Sequence, residues 1–244
     1  VAAGALAAEP EPAVDQLASR RVNRILLGVA VVAAIEAVAL SVYVAGHSFI
    51  PEDAAFERQV QAIDWGPLAI TFRFFSWIGD AKGIVAEVII FFAVLLVNRR
   101  AWLFAGLALL TSAWYQVGIN LVHRPRPTTA QVLHVTEHPG ASSYPSGHTI
   151  IAVTLAVLLM VGFGNRFLPP RARILGWALV VLIIADNAVA RMYTGAHWPT
   201  DVLGGILIAV AWLSFVGAVT AIRERRPAPS ASPIAASPAA PGGG

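Results

Sequence analysis

Apolar residues in this chain run in blocks too long for strands, separated by short basic or turn-forming segments. Six blocks stand out. Residues 24–44 hold one internal acid, Glu36, and residues 81–97 hold Glu87. Residues 101–123 form 23 positions without Asp, Glu, Lys or Arg. A fourth block ends at Asn165 and starts near Ser146, after a turn-like HPGASSYPSGHT stretch. Residues 173–191 are interrupted only by Asp186, and residues 202–222 are an uncharged 21. A helix of about 20 predominantly apolar residues crosses a bilayer. The pattern therefore predicts an all-α polytopic membrane protein, six transmembrane helices in one bundle. Residues 65–77, aromatic-rich and carrying Arg73, are too short and mixed to span and predict an interfacial or re-entrant helix.

Composition sharpens this. Of 244 residues, 57% are hydrophobic and only 13% charged, and the mean hydropathy is +0.69. Ordinary soluble domains carry roughly 25% charge, so a water-soluble globule and a disordered chain are both excluded. The absence of cysteine excludes a disulfide framework, thiolate–metal sites and a cysteine nucleophile. A net charge of +3 would fit a nucleic-acid partner, but the basic residues sit in short clusters at the ends of apolar blocks, which is how a bilayer partner is met. No nucleic-acid partner is expected.

With six spans both termini share one side. Placing them in the cytoplasm puts eleven of the 17 Lys and Arg on inner segments, as the positive-inside rule requires. The expected organisation is a flexible N-terminal tail at 1–21, a six-span domain at 22–222 and a basic, then disordered, Pro/Ala/Gly-rich tail at 223–244. Compact size and the lack of a targeting segment suggest a bacterial inner membrane. No repeat of fixed period is visible, which argues against an inverted-repeat transporter. Glu36, Glu87 and Asp186, inside spans, are expected to face the bundle interior, with Asp186 a potential partner of Arg191. Tyr193 and Trp198 are expected as interfacial anchors.

Three polar clusters lie at the outer ends of spans three to six: HRPRP at 123–127, YPSGHT at 144–149 and RMYTGAHWPTD at 191–201. Converging in a bundle, they make an extracytoplasmic-side site for phosphoryl chemistry. The guanidiniums of Arg126 and Arg191 can each clamp two anionic oxygens. Ser146, Gly147 and His148 stand where the fourth span begins, and free N–H groups at a helix N-terminus favour an anion. Of His148 and His197, one can attack phosphorus as a neutral imidazole while the other protonates the leaving oxygen. Asp201, four residues after His197, can reach back to the ring if the last span starts near Pro199, fixing the tautomer so that Nε2 is free to attack. Neither metal nor cofactor is needed if the arginines neutralise the charge. His134, Glu137 and His138 match an H-x-x-E-H zinc pattern, but Pro139–Gly140 follows at once. The stretch reads instead as a mobile cover over the site.

At these residues the sequence resembles the type-2 phosphatidic acid phosphatase superfamily of integral membrane lipid phosphatases, related to vanadium haloperoxidases. The family pattern has Lys, six residues, Arg-Pro; then Pro-Ser-Gly-His; then Ser-Arg, five residues, His, three residues, Asp. Here these end at Arg126-Pro127, run through Pro145–His148, and run through Arg191, His197 and Asp201. The resemblance implies that His197 is the nucleophile, Asp201 orients it and His148 is the general acid. It also implies that Arg126, Arg191, Ser146 and Gly147 hold the phosphoryl oxygens. Two positions depart from the pattern: Ile119 replaces the lysine and Ala190 the serine. Arg124 and Lys82 are the nearby cations available to supply the missing charge. Arg124 is equally an anchor for lipid headgroups, and its replacement by alanine is expected to spare most activity.

The expected function is hydrolysis of a lipid phosphomonoester or diphosphate through a phosphohistidine, on polyprenyl diphosphate, phosphatidylglycerol phosphate or phosphatidic acid. A lipid phosphotransferase of the same fold, and a non-catalytic lipid-binding or transport protein, remain the alternatives. The oligomeric state is open.

Overall fold

A computed structural model describes residues 13–79, 81–137 and 140–223. All regular structure among them is helical: α1 (Ala13–Gly46), α2 (Pro51–Ala62), α3 (Ala69–Ile78), α4 (Ala81–Val97), α5 (Trp102–Ala108), α6 (Thr111–Leu121), α7 (Gly147–Leu159), α8 (Asn165–Phe167), α9 (Pro170–Tyr193) and α10 (Pro199–Arg223). Five of the described stretches are long and apolar enough to cross a bilayer: Arg20–Gly46, Arg99–Leu121, Gly147–Phe167, Pro170–Tyr193 and Pro199–Ala221. The second is a broken helix in which α5 and α6 meet at a turn. The remaining expected span, the second in chain order, is α4, which is apolar but only 17 residues long.

The helix starts are written in local chemistry. Ser146 caps α7 by accepting the Thr149 N–H. Pro170 opens α9 at a first-turn position, where its missing N–H costs nothing. In α10, the Asp201 carboxylate reaches back to the Trp198 N–H at 3.0 Å, as the acid of a capping box does. α1 starts at Ala13, inside the segment expected as a flexible tail. Residues 13–21, AVDQLASRR, are mostly good helix formers with no Pro or Gly, so the helix extends backwards. The rest of that tail, and the one after Arg223, lie outside the described residues.

α7 is the central post, with ten of its 13 residues buried. Val153 and Leu158 of α7 pack with Val94 of α4, Phe104 and Ala105 of α5, and Ala209, Leu213 and Val216 of α10. α1 lies along α10 and buries the small face Ala30, Ala33 and Ala37. Glu36 falls off that face and is exposed, contrary to expectation. Glu87 is buried as expected, and Asp186 is half-buried. The outer surface is apolar: Ile174, Leu175, Leu179, Val181 and Leu182 of α9 are all exposed. Such a belt suits lipid rather than water.

Two short helices, α2 and α3, lie toward the end of the bundle where α7 and α10 begin. α3 matches the short helix expected at 65–77 and packs on α9 and α7. α2 falls outside the elements that the apolar pattern predicts. Its signals are nevertheless local: a proline at its first position and Glu52 and Asp53 in its first turn.

Candidate active site

The three polar clusters meet at that end. Arg126 comes from the segment after α6, His148 from the first turn of α7, and His197 from the turn joining α9 to α10. That turn is held by Gly195 at φ +71°, where a Cβ would strike the backbone of His134 and Val135. The rings of His148 and His197 stand 6.4 Å apart, centre to centre. Both line a cavity of about 260 Å³ together with Arg126 and Gly147.

His197 is 2% exposed. Its Nδ1 lies 2.8 Å from the Ser143 carbonyl, whereas the Asp201 carboxylate is 3.9 Å away. A carbonyl can only accept, so Nδ1 carries the proton and Nε2 keeps its lone pair. Tautomer control, expected of Asp201, is therefore exercised in this structure by a backbone oxygen. Nη1 of Arg126 stands 3.3 Å from Nε2. Burial, and then the positive charge of Arg126, hold the imidazole well below the ordinary histidine range. The ring is neutral, the form a nucleophile requires.

Arg126 is itself fixed by carbonyls, donating to Gly140, Ala196 and Ser142 at 2.8, 2.6 and 2.7 Å. Ser146 is fully buried, and its hydroxyl accepts from both the N–H and the hydroxyl of Thr149. It serves as the helix cap. Gly147 presents the first turn of α7 to the cavity, and a Cβ there would press on the Tyr115 ring at 3.0 Å.

Arg191, also fully buried, donates to Glu137 at 2.8 Å and to the Ser76 hydroxyl at 2.6 Å. Ser76 in turn donates to the other oxygen of Glu137. Among the described residues Arg191 pairs with Glu137, although Asp186 is far nearer in sequence. Glu137 shares no helix with Arg191; the segment connecting α6 to α7 brings it there. That segment is stitched down rather than a free cover. Gln61 of α2 donates to the carbonyls of His134 and Met192 and accepts from the Leu133 N–H, and Thr136 N–H donates to the Thr194 carbonyl at 2.8 Å. Of the zinc-like pattern, His134 packs edge-on against Tyr193, Glu137 is paired, and His138 lies outside the described residues.

Arg124 holds a different place from the one expected. It is 1% exposed and bridges two carboxylates, Asp201 through Nη1 and Asp53 through Nη2, each at 2.6 Å. Thr200 takes a further bond from Nη1 at 2.7 Å. Its guanidinium also lies over the Trp198 ring, and Trp198 is buried against Ala54 and Val132, not an interfacial anchor. Lys82 is stacked over Trp77. Neither cation lines the histidine cavity. Ser112, Tyr115 and Gln116 of α6 do, while Ile119, at the lysine position, does not. Sequence reasoning missed Asp53, Glu57 and Gln61 of α2, together with Ser76 and Ser143.

A model of the PAP2 superfamily matches residues 100–225, half of the chain and the part that carries all three clusters. The undecaprenyl-diphosphatase BcrC of Bacillus subtilis is 31% identical over 133 residues, 52% of this chain and 64% of that protein. The decaprenylphosphoryl-5-phosphoribose phosphatase of Mycobacterium tuberculosis is 30% identical over 129 residues, 52% of this chain and 66% of that one. These matches span less than two thirds of the relatives' own length. The crystal structure of a transmembrane PAP2-type phosphatidylglycerolphosphate phosphatase from Bacillus subtilis superposes with a TM-score of 0.62 at 19% identity, covering 81% of this chain and 97% of that one. The fold, the motif spacing and the matched half of the chain agree: this protein belongs to the PAP2 superfamily.

Proposed function

We infer that the protein is a membrane lipid phosphatase working through a phosphohistidine. The observation that carries this reading is His197 itself, a buried neutral imidazole whose Nδ1 proton is held by Ser143 and whose Nε2 faces Arg126 across the cavity from His148. Nε2 attacks the phosphorus in line, forming the N–P bond. The bond to the leaving oxygen breaks, and His148 supplies the proton that oxygen needs. Water, activated by the now neutral His148, then hydrolyses the N–P bond and returns the proton. Arg126, Arg191 and the N–H groups of the first turn of α7 balance the charge on the phosphoryl oxygens.

The relatives' substrates point to a terminal phosphate on a lipid, either a phosphomonoester or a diphosphate. The same reading makes α4 the remaining span, puts both termini in the cytoplasm and faces the site outward. Absence of cysteine makes that easy to test, since a single introduced cysteine near Arg73 should react with an impermeant maleimide on intact cells.

Purified protein is expected to release phosphate from at least one of polyprenyl diphosphate, phosphatidylglycerol phosphate and phosphatidic acid. His197→Ala should abolish that release, and rapid alkaline quench of the native enzyme should trap labelled phosphohistidine. Near-normal turnover by His197→Ala would sink the mechanism. Transfer of label to added acceptor lipids would show the transferase instead.

A further inference from the structure

His148 is the wall between two cavities. On one side is the histidine cavity of about 260 Å³. On the other is a wider one of about 800 Å³ between α3 and the start of the α9–α10 turn. Phe72, Trp77 and Tyr193 line it together with Arg73, and Thr194 stands beside them. Arg73 is exposed and makes no ion pair among the described residues. The other charged side chain of known placement on this wall, Glu137, has its charge matched by Arg191.

Resting on the phosphatase reading, we propose that this wide cavity is the leaving-group subsite and that Arg73 selects a lipid diphosphate by binding its second, non-transferred phosphate. In an in-line displacement the leaving oxygen departs on the side away from the nucleophile. His197 lies in the small cavity and the acid His148 stands on the boundary, so what stays attached to the leaving oxygen extends into the wide one. An alcohol leaving there needs no cation. A lipid monophosphate leaving there carries charge that a guanidinium can match with two hydrogen bonds. The aromatic rings next to Arg73 offer an apolar path for the chain that follows. Arg73 is thus a specificity-determining residue, separate from the groups that perform the transfer.

The test compares Arg73→Gln with the native enzyme on a polyprenyl diphosphate and on the matching polyprenyl monophosphate. The ratio of kcat/KM for diphosphate over monophosphate should fall about tenfold or more, the size of one charge-assisted contact. Arg73→Lys should recover part of it. An equal loss on both substrates would reduce Arg73 to a membrane anchor and overturn the proposal. A binding measurement stands apart from catalysis. In the His197→Ala background, a methylene-bridged lipid bisphosphonate should bind about tenfold more weakly once Arg73 is replaced, and a lipid monophosphonate should not follow it. Unchanged bisphosphonate binding would refute the subsite. Native protein that hydrolyses neither substrate would refute the phosphatase reading, leaving the binding result to judge the subsite.

Discussion

Arg124 and Asp201 are joined at 2.6 Å with neither side chain exposed to solvent. The same guanidinium holds Asp53 at the same distance, so one cation ties α2 to the first turn of α10 and to the turn that carries His197. Removing one partner of a buried ion pair leaves an uncompensated charge and costs about 3–5 kcal/mol.

Arg124→Ala should therefore lower the unfolding temperature in detergent sharply and lose phosphatase activity with it. This reverses the expectation that the substitution would be mild. Retention of both the native unfolding temperature and activity would show that α2 is not needed to hold the site.

Glu57, one turn after Asp53, is fully buried and neither of its oxygens has a hydrogen-bond partner among the described residues. Burial first, then the charges of Asp201 and Asp53, raise its pKa from 4.5 to about 9. The folded state thus keeps a proton that the unfolded chain has released. Stability from this group is present in full below the unfolded value and is lost as pH rises toward the folded one. Glu57→Gln should match the native protein at about pH 5 and exceed it by a few kcal/mol at about pH 8. Parallel melting temperatures across that range would show that Glu57 titrates normally.

The motifs that carry His148 and His197 were legible because they sit at or just before the starts of α7 and α10, where local chemistry decides the geometry. Arg126, in the segment after α6, was legible instead through its place in the family pattern. The apolar blocks were legible because a bilayer imposes length. What escaped depends on contacts distant in sequence or on groups that every residue carries. Asp53 meets Arg124 across 71 positions, and Glu137 meets Arg191 across 54. Ser143 acts through its carbonyl, so no side-chain pattern could announce it. Asp201 reads as the orienting acid because it stands four residues after His197. Its carboxylate is instead taken by Arg124 and the Trp198 N–H.

Gly79, just after α3, lies against the ring of His148, where a Cβ would overlap the imidazole carbons. Gly79→Ala should displace the proposed acid without touching any group that binds phosphate. The expected loss is about a hundredfold in kcat, the usual worth of a general acid. A leaving group that needs no proton bypasses that acid, so p-nitrophenyl phosphate should suffer much less than a lipid phosphate. Equal losses on the two would mean that the substitution damages the site generally.

One oxygen of Glu137 and the Ser76 hydroxyl meet the Arg191 guanidinium, and Ser76 is tied in turn to the other Glu137 oxygen. If Arg191 binds substrate, the arriving phosphate must displace or share with a carboxylate already in place. Glu137→Gln keeps the shape and removes the charge, so phosphate no longer competes with an ion. The inhibition constant for inorganic phosphate should then fall several-fold, up to about tenfold, with a parallel fall in KM and little change in kcat. Weaker phosphate inhibition in the variant would give Glu137 the opposite role, holding Arg191 in position for the substrate rather than standing in its place.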